Sequence, residues 1–124
     1  MILDASALLA FLHNEPGAER VRMALDTAQV STVNWAEVLQ KSLRCQVDIT
    51  GMQEEFTEIG VTFEPFTPDQ AALTAKLWDK TRKFGLSLAD RSCLALAMEK
   101  EAAVLTADRA WAKLDLGIEI LLLR

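Results

Sequence analysis

The segment MILDAS, residues 1–6, decides the fold of this 124-residue chain. Three apolar residues are enough for a short buried strand, and they lead directly into Asp4. The chain then becomes helical through the mainly apolar residues 7–12. In an α/β sheet, ligands bind outside the carboxyl ends of the strands, where the following helices also begin. Asp4 is therefore predicted to lie at the functional edge of a sheet.

The rest of the chain alternates short apolar segments with amphipathic ones. Further strands are predicted at residues 29–33, 61–64, 103–106 and 118–123. Helical spacing of apolar residues predicts helices between them, one of which begins near Asn34. This alternation is typical of an α/β domain with a mainly parallel sheet of four or five strands, flanked by helices.

Two further helix starts are marked by capping residues. Thr67 can cap a helix with Pro68 in its first position and Gln70 completing a capping box, and this helix is predicted to continue to Gly85. Ser87 and Asp90 form a second box directly afterwards. The helix that they open is apolar on most faces and is predicted to lie deep against the sheet.

Composition and charge limit the class of protein. One domain spanning residues 1–124 is expected, since 51% hydrophobic residues can bury a single sizeable core. The net charge of −5 and the pI near 4.8 oppose long-range attraction of nucleic acid, so a phosphate-bearing substrate would need a metal ion or a local basic cluster. The absence of a long apolar run and of a signal-peptide pattern predicts a cytoplasmic protein with no membrane partner. Two cysteines are too few for a disulfide framework.

Four acids share one kind of position, because each lies just past a predicted strand or in the opening of a helix. They are Asp4, Glu37, Asp90 and Asp108. Each also has a purely structural explanation as a helix cap or as an ion-pair partner. Helices that follow parallel strands begin at one edge of the sheet, however, so capping itself gathers the carboxylates. Two unit charges about 5 Å apart repel by roughly 3 kcal/mol at an effective dielectric constant near 20, which predicts a bound counterion.

Carboxylate oxygens are hard ligands, and they suit Mg²⁺ or Mn²⁺. No His and Cys cluster exists for zinc, and the single histidine, His13, lies in a predicted turn where a solvated surface role is expected. The sequence therefore predicts a magnesium or manganese site held by the four acids.

Four motifs in order carry a resemblance to a known family. They are ILDAS at 2–6, NWAEV at 34–38, LSLAD at 86–90 and LTADR at 105–109. In their order and spacing they resemble the PIN-domain ribonucleases, and in particular the VapC toxins of bacterial toxin-antitoxin pairs. The resemblance covers the whole chain, and it implies a PIN-like α/β/α sandwich.

The resemblance also implies an activity, a cofactor and partners. It implies an endoribonuclease toxin that uses Mg²⁺ or Mn²⁺, acts on an RNA substrate, is blocked by a cognate antitoxin protein and commonly forms a homodimer. By position, Asp4, Asp90 and Asp108 match the metal-ligating aspartates, and Glu37 matches the glutamate that holds a metal directly or through water. Ser6 and Thr106 match the small hydroxyl residues that hydrogen-bond around the acids.

The expected chemistry is hydrolysis by a metal-activated water, without a histidine base. In-line attack of this kind is expected to leave 5′-phosphate and 3′-hydroxyl ends. Arg91 and Arg109 stand beside the proposed ligands, so they are the candidates for contacts to the RNA backbone.

Other interpretations of the acids fit less well. A receiver-type signalling domain would need an acidic neighbour at the first strand and an aspartate after the third, and the chain has neither. A haloacid-dehalogenase phosphatase needs a second aspartate where Ser6 stands. A catalytically silent PIN-like module that binds RNA or protein is the alternative, although the complete set of four acids counts against it.

Overall fold

A computed structural model describes all residues from 1 to 124. Its five strands form one sheet, and every pairing between them is parallel. The strands are β1 (Ile2–Leu3), β2 (Gln29–Ser31), β3 (Thr62–Glu64), β4 (Val104–Thr106) and β5 (Ile120–Leu122). The helices are α1 (Ala5–Leu12), α2 (Ala18–Ala24), α3 (Thr32–Arg44), α4 (Met52–Ile59), α5 (Pro68–Lys76), α6 (Trp78–Thr81) and α7 (Leu88–Lys100). The predicted α/β fold with a parallel sheet is confirmed.

The strand order is β3-β2-β1-β4-β5, so the chain reverses direction across the sheet between β1 and β4. The first three strands extend to one side of β1, and α5 to α7 then return the chain to the other side. Two neighbouring strands whose connections leave in opposite directions open a crevice at their carboxyl ends. This crevice is where the fold provides room for a ligand.

Alternate residues of β1 and β4 enter different halves of the core. Leu3 and Leu105 pack with residues of α1 to α4, including Phe56, in one apolar cluster. Ile2 and Val104 face α7 in a second cluster. The sheet is thus covered on both faces, which explains why β1 is entirely apolar and β4 is apolar up to its last residue, Thr106. None of the helices is both long enough and apolar enough to cross a membrane.

Two predicted helix boundaries are wrong. Helix α3 begins at Thr32 instead of near Asn34, because the Ser31 side chain accepts a hydrogen bond from the backbone N–H of Val33 at 3.2 Å. This cap shortens the predicted strand at 29–33 to Gln29–Ser31. The serine is therefore both the last residue of β2 and the capping residue of α3.

The single helix predicted from Thr67 to Gly85 is divided. Helix α5 ends at Lys76, the short α6 follows, and a 3₁₀ turn covers Arg82–Phe84. Thr67 does cap the helix by accepting from the N–H of Gln70 at 3.1 Å. The Gln70 side chain, however, donates to Glu99 at 2.6 Å, so it ties α5 to the end of α7 and does not complete the predicted capping box.

Gly60 provides a stability test of the sheet edge. Its φ is +127°, and a Cβ there would lie 2.6 Å from the backbone oxygen of Asp26. We expect Gly60→Ala to lower the free energy of unfolding by about 2 kcal/mol or more, because both the backbone conformation and the close approach oppose a side chain. Urea unfolding measures this change.

Gly85→Ala is the matched control. Gly85 has a φ of +74°, but no atom lies within 4 Å of the position that an added Cβ would take. Only the left-handed conformation opposes the substitution, so the expected loss is about 1 kcal/mol. Equal losses for the two variants would show that the contact with Asp26 carries no cost.

Candidate metal and nucleic-acid site

Asp4 lies where β1 ends and α1 begins, and only 3% of it is exposed. Its carboxylate caps α1 by accepting a hydrogen bond from the N–H of Ala7 at 2.9 Å. The Ser6 hydroxyl lies 2.7 and 2.9 Å from the two carboxylate oxygens, and the Thr106 hydroxyl donates at 2.6 Å. The carboxylate is therefore held in one orientation by three donors.

Burial raises the pKa of Asp4 from 3.8 to about 6, because the buried site disfavours the charged form. Hydrogen bonds from Thr106, Ser6 and Ala7 act in the opposite direction by stabilising the charge. The negative charge of Asp90 adds a further, smaller increase. No basic side chain forms an ion pair with Asp4, so the protein itself supplies no cation to offset the burial.

A hydroxyl network joins β1 to β4. Ser6 Oγ and Thr106 Oγ1 are 3.2 Å apart, and Ser6 Oγ also accepts from the N–H of Ala107 at 2.9 Å. Thr106 Oγ1 accepts from the N–H of Asp108 at 3.1 Å. The two hydroxyls thereby connect Asp4 to the backbone that carries Asp108, across the crevice between the two strands.

Asp108 and Asp90 each cap a helical segment with one oxygen. Asp108 Oδ1 accepts from the N–H of Ala110 at 3.0 Å at the start of a 3₁₀ turn over Arg109–Lys113. Asp90 Oδ2 accepts from the N–H of Ser87 at 2.9 Å, and Ser87 Oγ accepts from the N–H of Asp90 at 3.1 Å. The capping box predicted at 87–90 is confirmed. The second oxygen of each carboxylate accepts no hydrogen bond from the protein.

Asp90 lies close enough to Asp4 for their charges to interact. The two carboxylates also raise the pKa of the Cys93 thiol, although burial is the larger cause. Cys93 is a free cysteine that is fully buried in α7, where it packs as a small core side chain.

Glu37 lies one helix away, on α3. Its carboxylate is half-buried and pairs with Lys41 one turn later, with 3.9 Å between Glu37 Oε1 and Lys41 Nζ. This ion pair is the structural alternative that the sequence raised for Glu37. It leaves Glu37 as the one acid of the four with a cationic neighbour in the protein.

Asn34 is a positioning residue that the sequence analysis did not identify. It is 1% exposed, and its Nδ2 donates to the backbone oxygen of Ala89 at 3.0 Å. This bond joins the start of α3 to the first turn of α7, and so relates Glu37 to Asp90. The available signal was its spacing, because Asn34 and Ser42 stand four residues on either side of Val38 and share its buried face.

The two arginines proposed to contact RNA have partners within the protein. Arg91 is half-buried, and its Nη1 donates to the backbone oxygen of Thr74 at 2.9 Å, which joins α7 to α5. Arg109 is exposed, and its Nη1 donates to the backbone oxygen of Arg124 at 2.7 Å. His13 is exposed in its turn and lies 3.7 Å from Glu15.

The structure thus places Asp90 within electrostatic range of Asp4 and connects Asp108 to Asp4 through Thr106. It places Glu37 on the adjoining helix. No group of three or more His, Cys, Asp or Glu side chains is close enough together to hold a metal ion. The arrangement can be described as a carboxylate edge, formed by Asp4, Glu37, Asp90 and Asp108, without a preassembled set of ligands.

Comparison with known proteins gives a consistent family and fold. The family model described as "PIN domain" matches residues 1–116. No curated protein sequence matches significantly.

Solved structures match along nearly the whole chain. A toxin-antitoxin complex from Klebsiella pneumoniae has a TM-score of 0.69 at 17% identity, with 96% of this chain and 98% of that chain covered. DNA-bound VapBC from Salmonella typhimurium has a TM-score of 0.68 at 14% identity, with 99% and 97% covered. FitAcB from Neisseria gonorrhoeae has a TM-score of 0.65 at 18% identity, with 97% and 95% covered.

The buried carboxylate predicts a pH dependence of stability. Burial raises the folded-state pKa of Asp4 from 3.8 to about 6, so the folded protein favours the protonated carboxyl group. The contribution of Asp4 to the free energy of unfolding is therefore complete below pH 3.8 and is lost as the pH rises through about 6. In EDTA, Asp4→Asn should therefore become more stable relative to the wild type between these two values, by about 3 kcal/mol. Urea unfolding across this pH range measures the difference.

Asp69→Asn is the control, because Asp69 is an exposed carboxylate in the first turn of α5. Its difference from the wild type should change less across the same window, because Asp69 is exposed and burial does not oppose its charge. If the Asp4→Asn curve runs parallel to that of the wild type, the burial of Asp4 does not destabilise its charged form.

Proposed function

The chain belongs to the PIN domain family, and from this premise we propose that it is a metal-dependent endoribonuclease, the VapC-type toxin of a type II toxin-antitoxin pair. The observation that carries the proposal is Asp4, a carboxylate 3% exposed and without a cationic partner, at the crevice between β1 and β4. A binding site for a divalent cation explains why the fold keeps a charge there.

The ligand chemistry fits Mg²⁺ or Mn²⁺. All four acids of the carboxylate edge offer hard oxygen donors, and Asp90 and Asp108 each keep one oxygen free of protein hydrogen bonds. Mg²⁺ is usually bound by one or two carboxylates, together with waters and substrate phosphate oxygens. A site that lacks three converging protein ligands is compatible with this mode, in which the RNA supplies part of the coordination.

Each residue of the site has a distinct role in the proposed reaction. Ser6 and Thr106 orient the Asp4 carboxylate, which is mostly ionised at neutral pH because its pKa is about 6. Asp90 and Asp108 would each offer the oxygen that is free of protein hydrogen bonds, and Glu37 would hold a water or an ion from α3. Bound metal would supply hydroxide from a coordinated water and offset charge on the scissile phosphate.

The partner proposals follow from the structural relatives. The relatives from Klebsiella pneumoniae and Salmonella typhimurium are a toxin-antitoxin complex and a VapBC complex. We therefore propose a cognate antitoxin that covers the carboxylate edge. RNA is proposed as the substrate because the four motifs resemble those of the PIN-domain ribonucleases. A homodimer is expected as the assembled form.

Metal binding can be tested without measuring cleavage. Addition of Mg²⁺ or Mn²⁺ to the metal-free protein should raise its melting temperature, with a stabilisation of about 2.7 kcal/mol at one hundred times the Kd. Asp4→Asn and Asp108→Asn should show a much smaller rise. Asp69→Asn, outside the edge, should respond as the wild type does. Equal shifts in all variants would place the ion elsewhere.

Cleavage of purified total and transfer RNA tests the activity. With Mn²⁺ or Mg²⁺, the wild type should give discrete fragments with 5′-phosphate and 3′-hydroxyl ends, and EDTA should abolish them. Asp90→Asn should lower the rate at least about a hundredfold, because it removes a negatively charged ligand of the ion that would activate the water, while Asp69→Asn should retain activity.

Three results would argue against this mechanism. Fragments with 2′,3′-cyclic phosphate ends would exclude hydrolysis by a metal-activated water. Cleavage that persists in both EDTA and Asp90→Asn would assign the activity to a contaminant. RNA binding without cleavage by metal-loaded protein would indicate the catalytically silent module.

A further inference from the structure

The largest surface cavity of the protein lies outside the carboxylate edge. It measures about 740 Å³ and is open to solvent. One wall is formed by α6 and the 3₁₀ turn that follows it, and the other by the end of the 3₁₀ turn after β4. Four basic side chains line the cavity, namely Lys80, Arg82, Lys83 and Lys113.

The cavity is basic in an acidic protein. Its only carboxylates are Asp79 and Asp115, and Asp79 pairs with Arg82 at 3.6 Å. The three lysines form no ion pair with any carboxylate. Unpaired lysines on a surface are ordinarily just solvated, but here they come from two distant segments of the chain and converge on one concavity. The chain as a whole carries a net charge of −5, whereas this cavity has more basic than acidic side chains.

An aromatic ring accompanies the lysines. Phe84 is half-buried and lines the cavity, with Lys83 Nζ 5.2 Å from its ring centroid. Basic side chains beside an aromatic face are the combination by which proteins bind single-stranded nucleic acid, since the cations contact phosphates and the ring stacks on a base. An acidic peptide would need the cations but would make no such use of the ring.

Both walls belong to chain segments that adjoin acids of the carboxylate edge. Helices α5 and α7 run antiparallel, because Gln70 near the start of α5 contacts Glu99 near the end of α7, and Arg91 contacts Thr74. The segment that carries Lys83 therefore lies at the end of α7 where Asp90 is found. The second wall follows Asp108, with Lys113 five residues after it. Each wall of the cavity is thus joined to one of the two acids by a short stretch of chain.

We propose that this basic cavity is the binding site for the single-stranded RNA backbone that flanks the scissile phosphate, with Lys80, Lys83 and Lys113 contacting phosphates and Phe84 stacking on a base. The inference rests on the proposed ribonuclease function and extends it to a substrate-binding surface. Its residues lie outside the carboxylate edge, so they determine affinity for RNA and do not take part in the chemical step.

The test compares two double variants with the same loss of charge. Lys83→Gln with Lys113→Gln removes one cation from each wall, whereas Arg22→Gln with Lys100→Gln removes two exposed cations elsewhere. Binding of a fluorescent single-stranded RNA of mixed sequence is followed by anisotropy in EDTA, where no cleavage occurs, at a series of salt concentrations.

The cavity variant should bind about tenfold more weakly at 0.1 M salt, and the slope of log K against log salt should fall in magnitude by roughly 1.4. The control variant should match the wild type. Lys83→Arg with Lys113→Arg should restore most of the affinity, because the positive charge at each position is kept. In cleavage assays with Mg²⁺, the cavity variant should raise KM and leave kcat nearly unchanged.

Several outcomes would overturn the inference. Equal affinities and salt slopes for the cavity and control variants would show that the lysines do not contact RNA. Loss of binding to polyglutamate with unchanged RNA binding would assign the cavity to an acidic protein partner. Either result combined with metal-dependent cleavage that Asp90→Asn abolishes would leave the ribonuclease function standing and remove only the RNA surface.

Discussion

The burial of one carboxylate, Asp4, is the constraint on which the rest of the site depends. Taking an ionised carboxylate out of water is costly, and the protein offsets this cost with the hydroxyls of Ser6 and Thr106 and the N–H of Ala7, but with no cation. The pKa of about 6 shows that the offset is incomplete. At neutral pH the fold thus holds an ionised carboxylate in a buried position. A bound cation would offset the part of its desolvation cost that the three hydrogen bonds leave.

This constraint depends in turn on the strand order. Asp4 follows β1 and Thr106 ends β4, and the two strands are hydrogen-bonded neighbours although 100 residues of chain separate Ser6 from Thr106. The direction of the chain reverses between these strands, so no helix covers the gap at their carboxyl ends. The crossover helix α7 brings Asp90 to the same gap. The sheet topology therefore assembles the carboxylate edge, and the helix caps set the orientation of its members.

The sequence was sufficient for these elements because their signals are local. A strand that ends in aspartate, the box formed by Ser87 and Asp90, and the aspartate after β4 are each readable within a few residues. The start of α3 was misplaced because Thr32 and Val33 are β-branched and favour a strand, whereas the cap from Ser31 decides in favour of the helix. The diversion of Gln70 to Glu99 depends on the packing of α5 against α7, and local capping patterns carry no information about that contact.

Capping and metal binding are compatible uses of the same acids. Asp90 and Asp108 each engage one oxygen in a cap, which fixes the side chain and leaves the other oxygen free. A ligand held in this way loses little conformational freedom when a cation arrives, so the structural role of the acid prepares its chemical one. Charge poses a related problem for the whole protein, because the chain is acidic and the proposed substrate is a polyanion. Its overall charge opposes RNA at long range, so in the proposed function the attraction would come from a cation at the carboxylate edge and from the lysines of the basic cavity. Binding that depends on these two local sources is sensitive to salt and to chelators at once, and a partner that covers the edge removes one of them without having to fill the cavity.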